Sequence, residues 1–174
     1  VTRDKVFALS NHSLFAVDKQ SEELSYYSRL TGLNGAVIST IGYNEALNLL
    51  LVCYDNGQLD VINAKEEIEN VPDLYLKQTN SSKVVNDICM HGHTAYLAMD
   101  FGILVLDMKK REIKDTYIIG QDASEVSVKY ITTMGDSIYA VSPQLLYAAS
   151  LSDPLSDYAY WHSYSLPKGK QVTG

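Results

Sequence analysis

Residues 6–18 read VFALSNHSLFAVD, and two later stretches align with them without a gap: 95–107 (AYLAMDFGILVLD) and 138–150 (IYAVSPQLLYAAS). A fourth stretch, 50–63 (LLVCYDNGQLDVIN), aligns with one extra residue in its middle. In chain order the four stretches end 45, 44 and 43 residues apart, at positions 18, 63, 107 and 150. A near-constant period of this size is the length of one four-stranded β-propeller blade.

Each stretch predicts a β-hairpin. Two apolar-rich runs of strand length flank a short turn such as Asp55-Asn56-Gly57 or Asp100-Phe101-Gly102. Asn-Gly between apolar runs indicates a tight hairpin turn, because both residues tolerate positive φ. In the fourth hairpin Ser142-Pro143 takes this place, since proline fixes φ and needs no ladder partner.

Further strands are predicted on both sides of each hairpin, which gives blades of four strands, a to d. The inner strands a are predicted at residues 37–43, 85–91 and 128–134, and the outer strands d at 24–28, 74–77, 116–119 and 158–164. No segment shows 3.6-residue apolar periodicity beyond two turns. The predicted fold is therefore all-β: a propeller segment of about four four-stranded antiparallel blades, part of a larger ring.

Residues 1–174 are expected to form a single propeller segment. Blade 1 is placed at about 1–30 without its first strand, blade 2 at 31–79, blade 3 at 80–122, blade 4 at 123–167, and the start of a next blade at 168–174, where Lys170-Gln171-Val172-Thr173 would open its strand a. An incomplete ring exposes sheet edges and blade flanks. We therefore expect a fragment of a longer propeller, with ring completion by oligomerisation or strand swapping as the alternative.

Composition narrows the range of partners. The 174 residues include 21 acidic and 14 basic ones, for a net charge of −7. Binding to nucleic acid or to an anionic membrane surface requires clustered Lys and Arg. The one basic run, Lys109-Lys110-Arg111, is followed by Glu112 and predicts a polar turn, so neither partner is expected. No apolar run approaches the roughly 20 residues of a membrane helix, so no membrane insertion is expected in this segment.

The linker before the second hairpin, residues 30–39 (LTGLNGAVIS), is followed by Ile41, Tyr43 and LLLVCYDNGQLDVIN. It resembles the two-component regulator propeller repeat, which carries T-G-L, a short polar step, V-x-x-I and a hairpin with a turn glycine. Together with VVNDICMHGHTAYLAMDFGILVLDMKKREIKDTYIIG and SIYAVSPQLLYAASL, it is most similar to the N-terminal propeller of PorZ-type proteins of the Bacteroidetes. The resemblance covers nearly the whole chain.

This resemblance implies a non-catalytic interaction and scaffold propeller of an exported cell-envelope protein, associated with type IX secretion. It implies a location in the periplasm or at the outer cell surface of a Gram-negative bacterium. Implied partners are proteins or cell-envelope glycan and lipopolysaccharide, with the rest of the parent propeller or a second copy completing the ring. The alternative is a periplasmic sensor of a hybrid two-component system that binds glycan fragments. The W-x-G-T element of sensor repeats is absent, which favours the PorZ-type branch.

No residue pattern predicts catalysis, a metal or a cofactor. Gly-x-Ser-x-Gly is absent, and neither Cys53 nor Cys89 lies in a metal-binding or nucleophile motif. The two cysteines are interpreted as buried free thiols, with a single disulfide as the alternative. His91-Gly92-His93 is interpreted as a solvated turn, because an H-x-H metal pair would need a third ligand at a recognisable spacing. A propeller lyase or glycosidase would require a carboxylate or histidine cluster at the channel mouth.

Binding residues are expected where the b–c turns and d–a crossovers emerge together, because loops on a rigid scaffold usually carry function. The candidates are Asn11, His12, Asn34, Asp55, Asn56, Asp100, Phe101 and Gln144. A second candidate is the aromatic group of Tyr158, Tyr160, Trp161 and Tyr164. Its rings could stack on a sugar, or they could pack against a neighbouring blade.

Overall fold

The computed structural model of the chain describes Thr2 and residues 4–166. It confirms an all-β propeller segment, with four antiparallel sheets formed in chain order by consecutive strands. Sheet 1 contains β1 (Lys5–Ser10), β2 (Ser13–Asp18) and β3 (Leu24–Tyr27). Sheet 2 contains β4 (Ile38–Asn44), β5 (Leu49–Tyr54), β6 (Leu59–Ile62) and β7 (Ile68–Val71). Sheet 3 contains β8 (Asp87–His91), β9 (Thr94–Met99), β10 (Gly102–Asp107) and β11 (Glu112–Tyr117). Sheet 4 contains β12 (Tyr130–Met134), β13 (Ser137–Val141), β14 (Leu145–Ser150) and β15 (His162–Ser165).

The hairpins, the inner strands and the first outer strand (β3, predicted at 24–28) lie where the repeat predicts them, whereas the other three outer strands differ. The strand predicted at 74–77 is wrong: β7 lies earlier, and Asp73–Leu76 forms one turn of α-helix, α1. Glu66, at φ 65°, turns the chain back at once after β6, so that Ile68 pairs with Ile62. Pro72 then ends the strand and begins the helical turn, because it has no N–H to donate to a ladder.

The other two outer strands are shifted along the chain. The strand predicted at 116–119 begins earlier, as β11. The strand predicted at 158–164 begins later, as β15, because residues 158–160 form a 3-10 helix capped by the Asp157 side chain. The strand a expected at Lys170-Gln171-Val172-Thr173 lies outside the described residues.

The core consists of three seams in which successive sheets pack face to face. The first seam lies between sheets 1 and 2, the second between sheets 2 and 3, and the third between sheets 3 and 4. Alternate residues of one strand serve opposite seams, because successive side chains point to opposite faces. In β5, Leu51 and Cys53 pack in the seam between sheets 2 and 3, whereas Leu50 and Val52 pack in the seam between sheets 1 and 2. Both faces of such a strand are buried, and its sequence is therefore a continuous apolar run and does not alternate between apolar and polar residues.

Side chains also connect neighbouring sheets by bonding to backbone carbonyls. Nδ1 of His12 lies 2.9 Å from the Ile38 carbonyl oxygen, across the first seam. The amide of Asn44 donates to the Gly92 carbonyl at 2.9 Å, and the amide of Asn86 donates to Val128 at 2.8 Å. Each seam therefore contains at least one polar contact that satisfies a backbone group of the next sheet.

Candidate functional site

The four b–c turns and the three d–a crossovers emerge at the same end of the sheets. Each sheet runs up and down through antiparallel neighbours, so the b–c turn and the following crossover return to one end. The backbone confirms this placement, since the N–H of Val128, in a crossover, donates to the carbonyl of Met99 at the end of β9. We call this end the loop face.

Five of the predicted binding residues are exposed at the tips of the hairpin turns: Asn11, His12, Asp55, Asn56 and Gln144. Asn11 and His12 have φ values of 47° and 61°, as in a two-residue hairpin turn with both central residues left-handed. Asn56 bonds locally to Gln58. These side chains are free to meet a partner, but they do not form one enclosed site.

His12 borders an open groove at the loop-face end of the first seam, which we call the first-seam groove. A carbonyl oxygen can only accept a hydrogen bond, so the bond to Ile38 places a proton on Nδ1 of His12. The groove also contains Arg29 and the exposed Leu30, and its lining includes no acidic residue. Arg29 has no ion-pair partner within residues 4–166. The groove is therefore a local cationic and apolar surface on an acidic chain.

Asn34, which is itself exposed, belongs to a polar cluster centred on Asp60, and Asp60 is fully buried in β6. The Asp60 carboxylate accepts from the Asn34 backbone N–H and side-chain amide, both at 2.8 Å. It also accepts from the Tyr54 hydroxyl at 2.6 Å and from the Asn70 amide at 2.9 Å. Burial, together with the bond to Asp60, raises the pKa of Tyr54. We call these four residues the Asp60 cluster; it fastens the first crossover to sheet 2.

Asp100 forms a comparable cluster between sheets 3 and 4. One of its oxygens accepts from Lys129 and Ser127 at 2.6 Å each, and from Asn86 at 3.1 Å. Burial opposes the charged form, but the bonds from Lys129, Ser127 and Asn86 outweigh it and lower the pKa of Asp100. We call this group the Asp100 cluster. Because these donors already surround the Asp100 carboxylate, we assign Asp100 a structural role in connecting sheets 3 and 4.

Phe101 is a correction to the predicted binding set. Its side chain is 3% exposed and packs in the core between sheets 2 and 3. Gly102 follows it at φ 141°, where a Cβ would lie 2.2 Å from the Tyr117 carbonyl oxygen. This close approach turns the chain so that Phe101 points inward, and we therefore remove it from the loop face.

The aromatic group near the C-terminal end divides in two. Trp161 is buried in the third seam and donates from Nε1 to the Leu155 carbonyl at 3.0 Å, so it is a packing residue. Tyr158, Tyr160 and Tyr164 are between 36% and 56% exposed. Tyr164 lies on the outer face of sheet 4, and the other two lie in the 3-10 helix before β15.

Both cysteines are free thiols, Cys53 buried and Cys89 half-buried. No group of three or more metal-ligating side chains occurs among the described residues. Over the same part of the chain, no helix has the length and apolar character needed to cross a bilayer.

The outer faces of sheets 1 and 4 resemble unpaired halves of a seam. The register places six apolar residues on the outer face of sheet 1: Val6, Ala8, Phe15, Val17, Leu24 and Tyr26. Tyr139, Leu146, Ala148 and Tyr164 lie on the outer face of sheet 4, beside an open groove that is also lined by Ser137, Ser150, Asp153 and His162. We call these surfaces the terminal faces.

Sequence reasoning named Asn34 and Asp100 but missed the partners that hold them, Asp60, Lys129 and Ser127. Asp60 is the one acid inside the run LLVCYDNGQLDVIN after its turn, and an acid among apolar strand residues predicts a buried polar cluster. Its partners Asn34 and Asn70 carry no such signal. Lys129 and Ser127 lie just before β12, and nothing in their local sequence predicts their hydrogen bonds to Asp100, 27 to 29 residues away.

A family model described as TSS9, PorZ, N-terminal beta-propeller domain matches residues 6–162. Among solved structures, PorZ of Porphyromonas gingivalis, an essential bacterial surface component of the type-IX secretion system, is 30% identical with a TM-score of 0.82. The alignment covers 95% of this chain and 22% of PorZ, so the chain spans about a fifth of that protein's length.

Two further structures share the fold alone. The extracellular domain of BT4673 from B. thetaiotaomicron, described as a hybrid two component system, is 17% identical with a TM-score of 0.70, over 98% of this chain and 22% of that one. Sqt1 of Saccharomyces cerevisiae is 14% identical with a TM-score of 0.64, over 85% and 42% respectively. No curated protein matches the chain.

Proposed function

Because the chain belongs to the PorZ N-terminal β-propeller domain family, we propose that it is a non-catalytic interaction and scaffold propeller of an exported cell-envelope protein associated with type IX secretion. The family match over residues 6–162 carries this proposal. The chemistry of the loop face supports it. Asp60 and Asp100, the two acids with the most hydrogen-bond donors there, already hold those donors in structural clusters and offer no open acid–base pair.

The loop face is the proposed contact surface. Asn11, Asp55 and Gln144 project from rigid hairpins, and their side chains make no hydrogen bond within the described part of the chain. A partner can therefore bind them without breaking internal contacts. The partner is a protein or a cell-envelope glycan such as lipopolysaccharide. The first-seam groove, with Arg29 and His12 and no acid, supports a partner that presents an anionic or hydroxyl-rich group there.

The terminal faces are proposed to be covered by further blades of the same polypeptide, with a second copy as the alternative. Each internal seam joins two apolar sheet faces, and the terminal faces carry the exposed apolar residues named above. The blade division at about 30, 79, 122 and 167 belongs to this proposal. The sensing alternative rests on relatives below 25% identity, which share the fold alone, and no residue of the chain favours it.

The test of function is a loop-face variant made in the bacterium that carries the gene. Asn11→Lys, Asp55→Lys and Gln144→Lys, combined, are expected to reduce surface delivery of type IX cargo several-fold at an unchanged protein level. The matched control is the double variant Glu45→Lys with Asp136→Lys, which lies at the opposite end of the sheets, adds the same net charge and is expected to deliver cargo normally. Normal delivery by the loop-face variant would contradict the proposed contact surface.

A further inference from the structure

The second crossover carries two adjacent exposed apolar side chains on α1. Tyr75 is 47% exposed and Leu76 is 66% exposed, whereas Leu74, in the same helical turn, is fully buried in the second seam. The crossover connects sheets 2 and 3, each of which packs against a neighbouring sheet on both of its faces. The exposure of Tyr75 and Leu76 is therefore separate from that of the terminal faces.

Two lysines without a carboxylate partner flank this pair. Nζ of Lys83 donates to the Tyr75 carbonyl at 2.5 Å and lies 5.8 Å from the centre of the Tyr75 ring. Nζ of Lys77 donates to the Thr116 hydroxyl at 3.1 Å. Both acceptors are neutral, and neither lysine forms an ion pair with another of the described residues. We call Tyr75, Leu76, Lys77 and Lys83 the α1 surface.

Sheet 3 holds α1 in a fixed position. The Asp73 carboxylate accepts from the backbone N–H of Ile113 in β11 at 2.9 Å, and the bond from Lys77 ends on the same strand. Leu74 anchors the inner side of the turn in the core. A surface that is already ordered loses little conformational entropy when a partner binds, so the exposed pair is preorganised for contact.

The other two crossovers show how far this surface chemistry extends over the loop face. In the first crossover Leu30 is 99% exposed beside Arg29, so an exposed apolar residue again adjoins a cation. The third crossover has the opposite character, because it exposes Asp122 and Glu125 and no large apolar side chain. Glu125 accepts from the Ser81 hydroxyl at 2.8 Å, so an acid borders the α1 surface on the side of sheet 4.

These charges favour a narrow acidic partner over a flat anionic one. The two lysines attract carboxylates, and the exposed pair offers apolar contact area. A flat anionic bilayer resting on the loop face would also meet Asp55, Asp122 and Glu125, which would repel it. A single peptide segment can lie on the α1 surface without covering those acids.

We propose that the α1 surface docks an acidic segment of a partner protein. An apolar or aromatic side chain of the segment packs on Tyr75 and Leu76, and its carboxylates lie beside Lys77 and Lys83. Tyrosine is enriched among the residues that dominate protein interfaces, and polar contacts around such an anchor exclude water from it. This inference rests on the proposed scaffold function and deepens it, since it gives the chemistry of a partner at one part of the loop face.

Peptide selection tests the docking. A phage library of short random peptides is selected on the natural chain, and each binder is then measured on the double variant Tyr75→Ser with Leu76→Ser. The matched control is Met134→Ser, which removes an apolar side chain 71% exposed at the opposite end of the sheets.

We expect binders that lose at least tenfold in affinity on the double variant and none on the control. These binders should carry an excess of Asp and Glu around an aromatic residue or a leucine. The proposal is overturned if no binder depends on Tyr75 and Leu76, or if those that do show no acidic excess. Unchanged urea denaturation of the double variant checks that its fold is intact.

Removal of the two charges tests the electrostatic part. Lys77→Gln combined with Lys83→Gln keeps a hydrogen-bond donor at both positions, and we expect it to weaken the acidic binders at least tenfold. The salt dependence of their binding should also fall, because salt screens the charge pairs. Lys109→Gln with Lys110→Gln removes the same charge at the opposite end of the sheets and is the control. Unchanged affinity and salt dependence in the first variant would overturn docking of an acidic segment.

A membrane partner and the cargo assay give separate outcomes. Sedimentation with vesicles of equal parts phosphatidylglycerol and phosphatidylcholine should show no binding that depends on Tyr75 and Leu76. Vesicle binding through these residues without any peptide binder would overturn the protein partner in favour of a membrane. Because peptide binding is measured in vitro, its failure leaves the scaffold function standing. Normal cargo delivery by the loop-face variant would contradict that function and leave the peptide result unchanged.

Discussion

The hydroxyl of Tyr54, the last residue of β5, donates a 2.6 Å hydrogen bond to the carboxylate of Asp60 in β6. Both side chains are fully buried, and the same carboxylate holds Asn34, in the crossover from sheet 1. A buried carboxylate is costly unless donors surround it, and here four hydrogen bonds do so. The pair therefore fixes the position of a loop-face crossover through the interior of sheet 2.

Replacement of Asp60 by alanine tests this role. Asp60→Ala leaves the Tyr54 hydroxyl and the Asn34 donors without their acceptor and removes one of the two acceptors of the Asn70 amide. We expect a loss of about 3 kcal/mol in the free energy of unfolding. Urea denaturation measures it. Asp55→Ala, on the same sheet but exposed, is the control and is expected to change stability by less than about 0.5 kcal/mol. Similar losses in the two variants would contradict the role of the cluster.

The parts of the fold that could be predicted are those fixed by burial and turn chemistry. The b and c strands of sheets 2 and 3 are buried on both faces, so their apolar runs and the Asn-Gly turn are visible in the sequence. The outer strands are short and half-exposed, and their positions depend on local backbone choices such as Glu66 at φ 65° and Pro72. Those choices are set by tertiary packing. Leu74, for example, is predicted to lie in a strand, but it lies in a helical turn that buries its side chain completely.

The candidate site was less predictable, because its contacts join distant positions. Asn34 and Asp60 are separated by 26 residues and meet only when the crossover folds over sheet 2. Asn11, Asp55 and Gln144 were placed at exposed turn tips because hairpin turns are local features. Phe101 was misplaced because burial of a turn residue depends on the close approach of Gly102 to β11.

The Asp100 cluster predicts a pH-dependent contribution to stability. The folded pKa of Asp100 is lowered by Lys129, Ser127 and Asn86 against the effect of burial. Such a carboxylate adds stability above its unfolded pKa of about 3.9, and this contribution is lost as the pH falls through the folded pKa. We expect Lys129→Gln to raise the pKa of Asp100, measured by NMR of the carboxyl carbon.

The stability difference between the natural chain and Lys129→Gln should accordingly shrink as the pH is lowered below the unfolded pKa. Lys109→Gln removes the same charge from an exposed turn and is the control, with no expected change in the pKa of Asp100. An unaltered Asp100 titration in Lys129→Gln would show that the 2.6 Å contact does not persist in solution.

Gly35 is predicted to tolerate no side chain. A Cβ at this position would lie 2.1 Å from the Tyr54 ring, so Gly35→Ala must displace the ring and weaken its bond to Asp60. We expect a loss of about 3 kcal/mol, as for an overpacked core site. Gly135→Ala meets no atom within 4 Å and bears backbone strain at φ 58°, at a cost of about 1 kcal/mol.

A double-mutant cycle identifies the cause of the Gly35→Ala effect. If the clash with Tyr54 is responsible, Gly35→Ala should cost clearly less in a Tyr54→Ala background than in the natural chain, because the ring is then absent. Additive losses would place the cause elsewhere in the crossover.

The two thiols are predicted to differ in reactivity. The thiolate is the form that reacts, and complete burial raises the pKa of Cys53, whereas Cys89 is half-buried beside the hydroxyl of Thr133 at 3.6 Å. In the folded chain iodoacetamide should modify Cys89 at least tenfold faster than Cys53, as followed by mass spectrometry. In urea the two rates should converge, because the difference comes from packing in the second seam. The control is Cys89→Ser, in which the remaining thiol, Cys53, should stay unmodified until the chain unfolds. Equal modification rates of the two thiols in the native chain would show that sheets 2 and 3 separate readily in solution.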